Sequence, residues 1–356
     1  MTSELVEKLE RIRGQLSSHG FDALHVAHPA NLAWLLCGAD VTVSQANSAV
    51  AEAIVTERSV TVLAAEVERH RLEDEELPDG PEVVYYPWFE QGSKRRLIDE
   101  LTSGLRVLSD TPGVGFEEQD LWPLRCPLMP IEVDRYRQVS RAAAEAFSDV
   151  LTGVKPGLSE WELAGRLCEA LVARALIPSV LLVASDERLE MYKHPLPSTK
   201  RVERRLMAVT CARRHGLYAN ATRLVSFGET PQKRRAYREL LAIEADIISG
   251  VERGGPASDL FTAVQEAYRA HGHNGAWRHH HQGGPTGYRT RDFILDGTRG
   301  EPLPRGAAYA VNPSLAGLKV EDTVLLEDGR VDVLTRDAIW PTRLIDGRPR
   351  PEVLEV

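Results

Sequence analysis

The run Gly306-Ala-Ala-Tyr-Ala-Val-Asn-Pro-Ser-Leu-Ala-Gly-Leu-Lys-Val-Glu-Asp-Thr-Val-Leu-Leu326 constrains the fold of this chain more than any other segment. It is read with two earlier runs, Gly216-Leu-Tyr-Ala-Asn-Ala-Thr-Arg223 and His279-His-His-Gln-Gly-Gly-Pro-Thr-Gly287. Their order and spacing in the second half carry more information than any one of them alone. Together they place Tyr, Asn, His, Lys and Glu side chains on strand-like segments.

The 356 residues are too many for one ordinary core and suit two domains. A composition of 43% hydrophobic and 27% charged residues reads as globular. The formal charge of -9 argues against a broad nucleic-acid footprint. No apolar run is long enough to cross a bilayer, so no membrane partner is expected. The opening Met-Thr-Ser-Glu has no signal-peptide core, and a cytoplasmic location is the expectation. Cys37, Cys126, Cys168 and Cys211 form no Cys-x-x-Cys pair. They read as small buried apolar residues, with Cys211 alone near residues of chemical interest.

Along the chain, Leu5, Leu9, Ile12 and Leu16 recur at helical spacing, and Gly20 reads as a helix stop. Short strands are expected at Ala23–Ala27, Ala53–Thr56, Val60–Ala64, Val83–Tyr86 and Val107–Leu108. This alternation predicts an α/β domain over residues 1–130, with Pro123, Pro127 and Pro130 in a linker. Residues 131–356 read as an α+β domain. Tyr136, Val139, Ala143, Phe147 and Val150 line one face of a long helix ended by Pro156-Gly157. Ser159-x-x-Glu162 is a capping box opening a second helix. Two more helices are expected near 232–251 and 257–271. Strands are expected at 179–184, 206–211, 217–227, 306–312 and 318–326, forming a largely antiparallel sheet.

Further motifs extend the pattern: Gly20-Phe-Asp-Ala-Leu24, Asn31-Leu-Ala-Trp-Leu-Leu-Cys-Gly38, Lys155-Pro-Gly-Leu-Ser-Glu-Trp-Glu-Leu-Ala164 and His194-Pro195-x-Pro197. With the three runs above, they resemble the creatinase, prolidase and aminopeptidase P superfamily over nearly the whole chain. The resemblance implies an α/β N-terminal domain and an α+β pita-bread (creatinase/aminopeptidase-like) C-terminal domain. It also implies a homodimer whose N-terminal domain helps close the partner's site.

The peptidases of that superfamily hold two metal ions with two Asp, one His and two Glu. By the resemblance, the first Asp falls near Val209 or Cys211, the second on Asn220, the His on Gly284 and the first Glu on Asn312. Only the last Glu is kept, as Glu321. Two neutral amides and one carboxylate do not offset the dehydration of two hard dications. No zinc spacing such as His-Glu-x-x-His occurs, and the expectation is no metal and no cofactor.

Creatinase supplies the metal-free precedent, and by resemblance His194, His280 and Glu321 are the candidate catalytic residues. Histidine both takes and gives a proton near neutral pH. On a strand, His280 would face one way and His279 and His281 the other. Tyr218, Asn220, His281, Gln282, Asn312, Lys319 and Arg223 are the candidate substrate-binding residues. The amides both donate and accept. Lys319 and Arg223 pair with Glu321 or with a substrate carboxylate, with a plain salt bridge favoured for Arg223. Glu321 is expected to hold a cationic group or orient a His. The leading expectation is a metal-independent hydrolase of a C–N bond in a small polar or dipeptide-like substrate. The alternatives are a metal-dependent Xaa-Pro aminopeptidase or dipeptidase with atypical ligands, a non-hydrolytic acid/base enzyme, and a non-catalytic binding protein.

Overall fold

A computed structural model describes residues 1–43, 48–112 and 115–356. It divides into two compact units, Met1–Ile131 and Glu132–Val356.

The first unit opens with the helix Ser3–His19. Thr2 caps its start, and Gly20 closes it in the left-handed region (φ 70°), where its N–H reaches the carbonyls of Leu16 and Ser17. A six-stranded mixed sheet follows, in spatial order Glu82–Tyr86, Val60–Ala65, Ala51–Thr56, Ala23–Val26, Val107–Ser109 and Glu117–Glu118. Ala23, Ile54, Leu63, Ile98 and Val107 form a core cluster on it. The proline-rich stretch expected as a linker is more ordered than its composition implies. Trp122–Arg125 is a short helix, and Pro130 is the first residue of the long helix Pro130–Leu151. Proline is favoured at the first helical position because its missing N–H has no intrahelical partner there. That helix stops at Leu151, short of Pro156-Gly157.

The second unit is built around two four-stranded sheets. One has the order Leu354–Glu355, Leu217–Ser226, Arg205–Arg214, Ile177–Ser185. The other has the order Gly283–Thr286, Ala308–Val311, Asp322–Glu327, Arg330–Val333. Nearly all pairings are antiparallel, as the sequence predicts; only Leu354–Glu355 runs parallel to its neighbour. The first sheet presents Leu206, Ala208, Ala212, Ala219 and Val225 to the helices Pro130–Leu151 and Glu160–Val172. Small alanines on the strands let Phe147, Leu163 and Leu167 approach closely, and all three helix residues are fully buried. The capping box is present in full: Ser159 Oγ accepts from the Glu162 N–H, and the Glu162 carboxylate accepts from the Ser159 N–H.

The opposite face of the same sheet positions the site. Alternation along Leu217–Ser226 puts Ala219 and Val225 in the helical core, so Tyr218, Asn220 and Thr222 project the other way. An isolated antiparallel bridge between Thr222 and Glu321 joins this face to the second sheet. We expect Phe147→Ala to lower the unfolding free energy by about 3–5 kcal/mol in urea denaturation, because it opens a cavity in the helix–sheet core.

Candidate functional site

Glu321 is the centre of the site. It is 2% exposed and comes from the turn between the hairpin Ser314–Leu315/Leu318–Lys319 and the strand Asp322–Glu327. Its carboxylate accepts from Thr222 Oγ1 at 2.9 Å and pairs with Arg291 Nη2 at 2.7 Å and Lys319 Nζ at 2.8 Å. Burial alone would raise this carboxyl; Lys319 and Arg291 outweigh it and hold the group well below the usual carboxylate range. Glu321 is therefore an anion already matched by two cations. It has no charge left over for a cationic substrate group, which corrects that sequence expectation.

Arg291 was not among the candidates read from the sequence. It lies four residues past Gly287 in a segment without strand or helix periodicity. The available signal was indirect: a lone buried carboxylate requires a cation beside it. Arg223 takes the salt-bridge role favoured for it, and it does so on the other face of the sheet. Glu321 and Asp322 alternate, as do Thr222 and Arg223, so Arg223 meets Asp322 at 3.0 Å and stacks over Trp340. Its candidate substrate-binding role is lost for that reason.

Three imidazoles gather beside Glu321. His194 Nε2 lies 3.2 Å from His280 Nε2. His281 stacks on His280 with ring centroids 4.4 Å apart and lies 5.8 Å from His194. One ligand nitrogen from each ring falls within 4.8 Å of the other two. The expected strand alternation fails here. Ala276–His279 is a 3-10 turn and the strand begins only at Gly283, so His280 and His281 share one side while His279 is exposed. Burial, with Lys319 next in weight, pushes His280 down to about 2 and lowers His194. Burial followed by Arg291 pushes His281 down to about 4. All three rings are neutral at physiological pH.

The remaining candidates divide. Asn220 Nδ2 donates to Thr286 Oγ1 at 3.1 Å, while its buried Oδ1 has no partner among the described residues. Asn312 Oδ1 is likewise buried and unpartnered. Tyr218 is half-buried on the same strand face as Asn220. Gln282 is not a free contact: Oε1 accepts from Tyr268 Oη at 2.6 Å, and Nε2 donates to the carbonyls of Trp277 and His280. Its amide is spent on the fold, which removes it from the substrate-binding set.

The positions that the resemblance assigns to metal ligands do not suit two dications. Pairing in the hairpin sets Cys211 directly opposite Asn220 and Val209 opposite Thr222. Burial, with the negative charge of Glu321 beside it, pushes the Cys211 thiol up to about 12, so it is not a thiolate. A Cβ at Gly284 would lie 2.1 Å from the Phe293 carbonyl oxygen, so the backbone there has closed over the space of a ligand side chain. Asn220 and Asn312 are neutral. The one carboxylate is neutralised by Arg291 and Lys319, whose charges repel a dication in this low-dielectric setting.

Removing Glu321 leaves two buried cations uncompensated. We expect Glu321→Gln to cost about 3–5 kcal/mol in urea unfolding. The folded pKa of Glu321 is depressed, so its contribution is present above the usual value of 4.5 and is lost as pH falls. The variant should lack that part of the wild-type acid sensitivity.

Among solved structures, the chain is similar to a prolidase from Thermococcus sibiricus (TM-score 0.79, 17% identity, 100% of each chain covered). It is similar to an Xaa-Pro dipeptidase from Bacillus anthracis (TM-score 0.78, 17% identity, 99% of this chain and 100% of that one). It is also similar to the N-terminal domain of the FACT complex subunit SPT16 from chickpea, Cicer arietinum (TM-score 0.70, 13% identity, 93% of this chain and 95% of that one). At these identities the likeness establishes the pita-bread fold. No curated protein matches the sequence. The model of metallopeptidase family M24 matches residues 134–328, which include His194, His280, His281 and Glu321. The chain belongs to metallopeptidase family M24.

Proposed function

We propose that this chain is a hydrolase that cleaves a C–N bond in a small substrate by acid–base chemistry at His194, oriented by His280, without a pair of metal ions. The observation that supports this reading most is the 3.2 Å contact between the two Nε2 atoms, beside a carboxylate whose charge is already matched. At that distance one ring N–H points at the bare nitrogen of the other, so the two imidazoles share one proton.

His194 is the more exposed ring and acts as the base. A water at its free nitrogen gives up a proton to it, and the water oxygen bonds to the carbonyl carbon. When the C–N bond breaks, the electron pair stays on nitrogen and His194 returns the proton there. His280 stays neutral and orients His194 by a hydrogen bond rather than by charge. The positive charge of Lys319 favours the oxyanion formed on the way. The unpartnered Oδ1 atoms of Asn220 and Asn312 accept from substrate N–H groups. Glu321 anchors Lys319 and Arg291 and takes no proton.

A second reading has one observation in its favour. The ring nitrogens of His194, His280 and His281 are close enough to hold a single late first-row divalent ion, as imidazoles do. Hydrolysis of a dipeptide, the activity named for the Bacillus anthracis relative, would then be metal-assisted.

Assaying the chelator-treated chain against a panel of dipeptides and N-acyl amino acids separates the two. We expect activity to survive chelation and His194→Ala to lower kcat/KM by about 10²–10⁴-fold. Loss on chelation, with recovery on adding Zn²⁺ or Co²⁺, would favour the metal reading. The pH profile provides a further check. His194 must be neutral to accept a proton and its pKa is lowered, so kcat/KM should rise with pH along an acid limb centred below 6.5.

A further inference from the structure

Among the described residues of the second unit, every other histidine ring that makes a hydrogen bond is tied to a carboxylate: His271 to Asp246 and His273 to Glu239, each at 2.9 Å. His194, His280 and His281 face one another instead. Their rings share a single hydrogen bond, the 3.2 Å contact between His194 Nε2 and His280 Nε2. The Nδ1 atoms of His280 and His281 are buried without a hydrogen-bond partner among the described residues. The cluster therefore holds ring nitrogens that the fold does not use.

Their spacing suits one small ion. Zinc holds imidazole nitrogens at about 2.0–2.1 Å, which sets two tetrahedral ligands about 3.4 Å apart. The Nε2 pair already stands at 3.2 Å, and one nitrogen from each of the three rings lies within 4.8 Å of the others. A small rotation of the His281 ring closes the set. His194 is the exposed member, so a fourth coordination position opens on its side. Lys319 and Arg291 against Glu321 leave one positive charge nearby, so nitrogen donation rather than charge must hold the ion. That requirement selects late first-row ions such as Zn²⁺ and rejects Mg²⁺ and Ca²⁺, which need oxygen ligands.

We propose that His194, His280 and His281 form a reversible site for a single Zn²⁺, and that the bound ion switches His194 off. A neutral imidazole has one bare nitrogen, and its other nitrogen carries the hydrogen. Once the lone pair of that bare nitrogen is given to the ion, His194 has none left to take a proton from water. Zinc here opposes turnover, unlike the catalytic ion of the second reading above. The switch rests on the hydrolase reading and adds its regulation; the ion site stands on the geometry of the three rings.

Calorimetric titration of the chelator-treated full chain with ZnCl₂ and with MgCl₂ tests the site without turnover. Zn²⁺ should bind at one per chain, about 100-fold or more tightly than Mg²⁺. His281→Gln and His194→Ala should each weaken it about tenfold or more, while His279→Ala, at the exposed ring next to the cluster, leaves it unchanged. Unchanged circular dichroism spectra and melting temperatures in the absence of zinc would confirm that the variants fold. Carbethoxylation of His194 by diethyl pyrocarbonate, read by peptide mass, needs the same lone pair and should be lost when Zn²⁺ is bound. Hydrolysis of the best substrate in the panel should fall in step with zinc occupancy and return on adding chelator. Absence of one-to-one zinc binding, smaller effects at His281 and His194, or an equal loss in His279→Ala would overturn the site. Carbethoxylation indifferent to bound zinc, or a rate that rises with it, would overturn the switch. Zinc binding that protects His194, with no hydrolysis of any substrate, would retire the hydrolase reading and leave the site standing. Hydrolysis by a chain that binds no zinc would do the reverse.

Discussion

A carboxylate buried between an arginine and a lysine is costly to assemble, because each charge must give up its water before the ion pairs repay it. Glu321 meets that cost with three partners: Thr222 from the facing strand, Arg291 from the loop after Gly287, and Lys319 two residues before it. The arrangement fixes the local geometry of both sheets at the point where Thr222 and Glu321 bridge. Burial first, and then the charges of Lys319 and Arg291, lower the pKa values of the three histidines.

Directly behind lies a second charged network facing the other way. Asp322 accepts from Arg223 at 3.0 Å, from Thr335 Oγ1 at 2.7 Å and from Arg350 at 2.6 Å. Arg350, fully buried, also reaches Glu244 on the helix Pro231–Arg253. This network ties the strand Arg348–Pro351 to the second sheet and the helix. The alternation of Glu321 and Asp322 thus separates two jobs by one residue: one carboxylate faces the cavity and the other secures the scaffold. Arg223 belongs to the scaffold, although on paper it stands next to Thr222.

A family fold does not carry its chemistry with it. The pita-bread sheets are retained here, yet of the five positions assigned to metal ligands two hold amides, one a glycine and one, at Val209 or Cys211, no carboxylate. At Gly284 the Phe293 carbonyl oxygen occupies the space that a side chain would need.

Much of this was legible in the amino-acid sequence. Period-2 and period-3.6 patterns placed the helices and strands, because burial on one face imposes those periods. The motif order placed His194, Asn220, Asn312 and Glu321 in one fold family. The sequence left three things undecided. It could not say that His280 and His281 share a side, because a 3-10 turn interrupts the strand rule just there. It could not bring Arg291 to Glu321 across 30 residues, since ion pairing through space leaves no periodic trace. Nor could it show that Gln282 is consumed by Tyr268. Local pattern determines which elements form; only their packing decides which charges meet and which are left over.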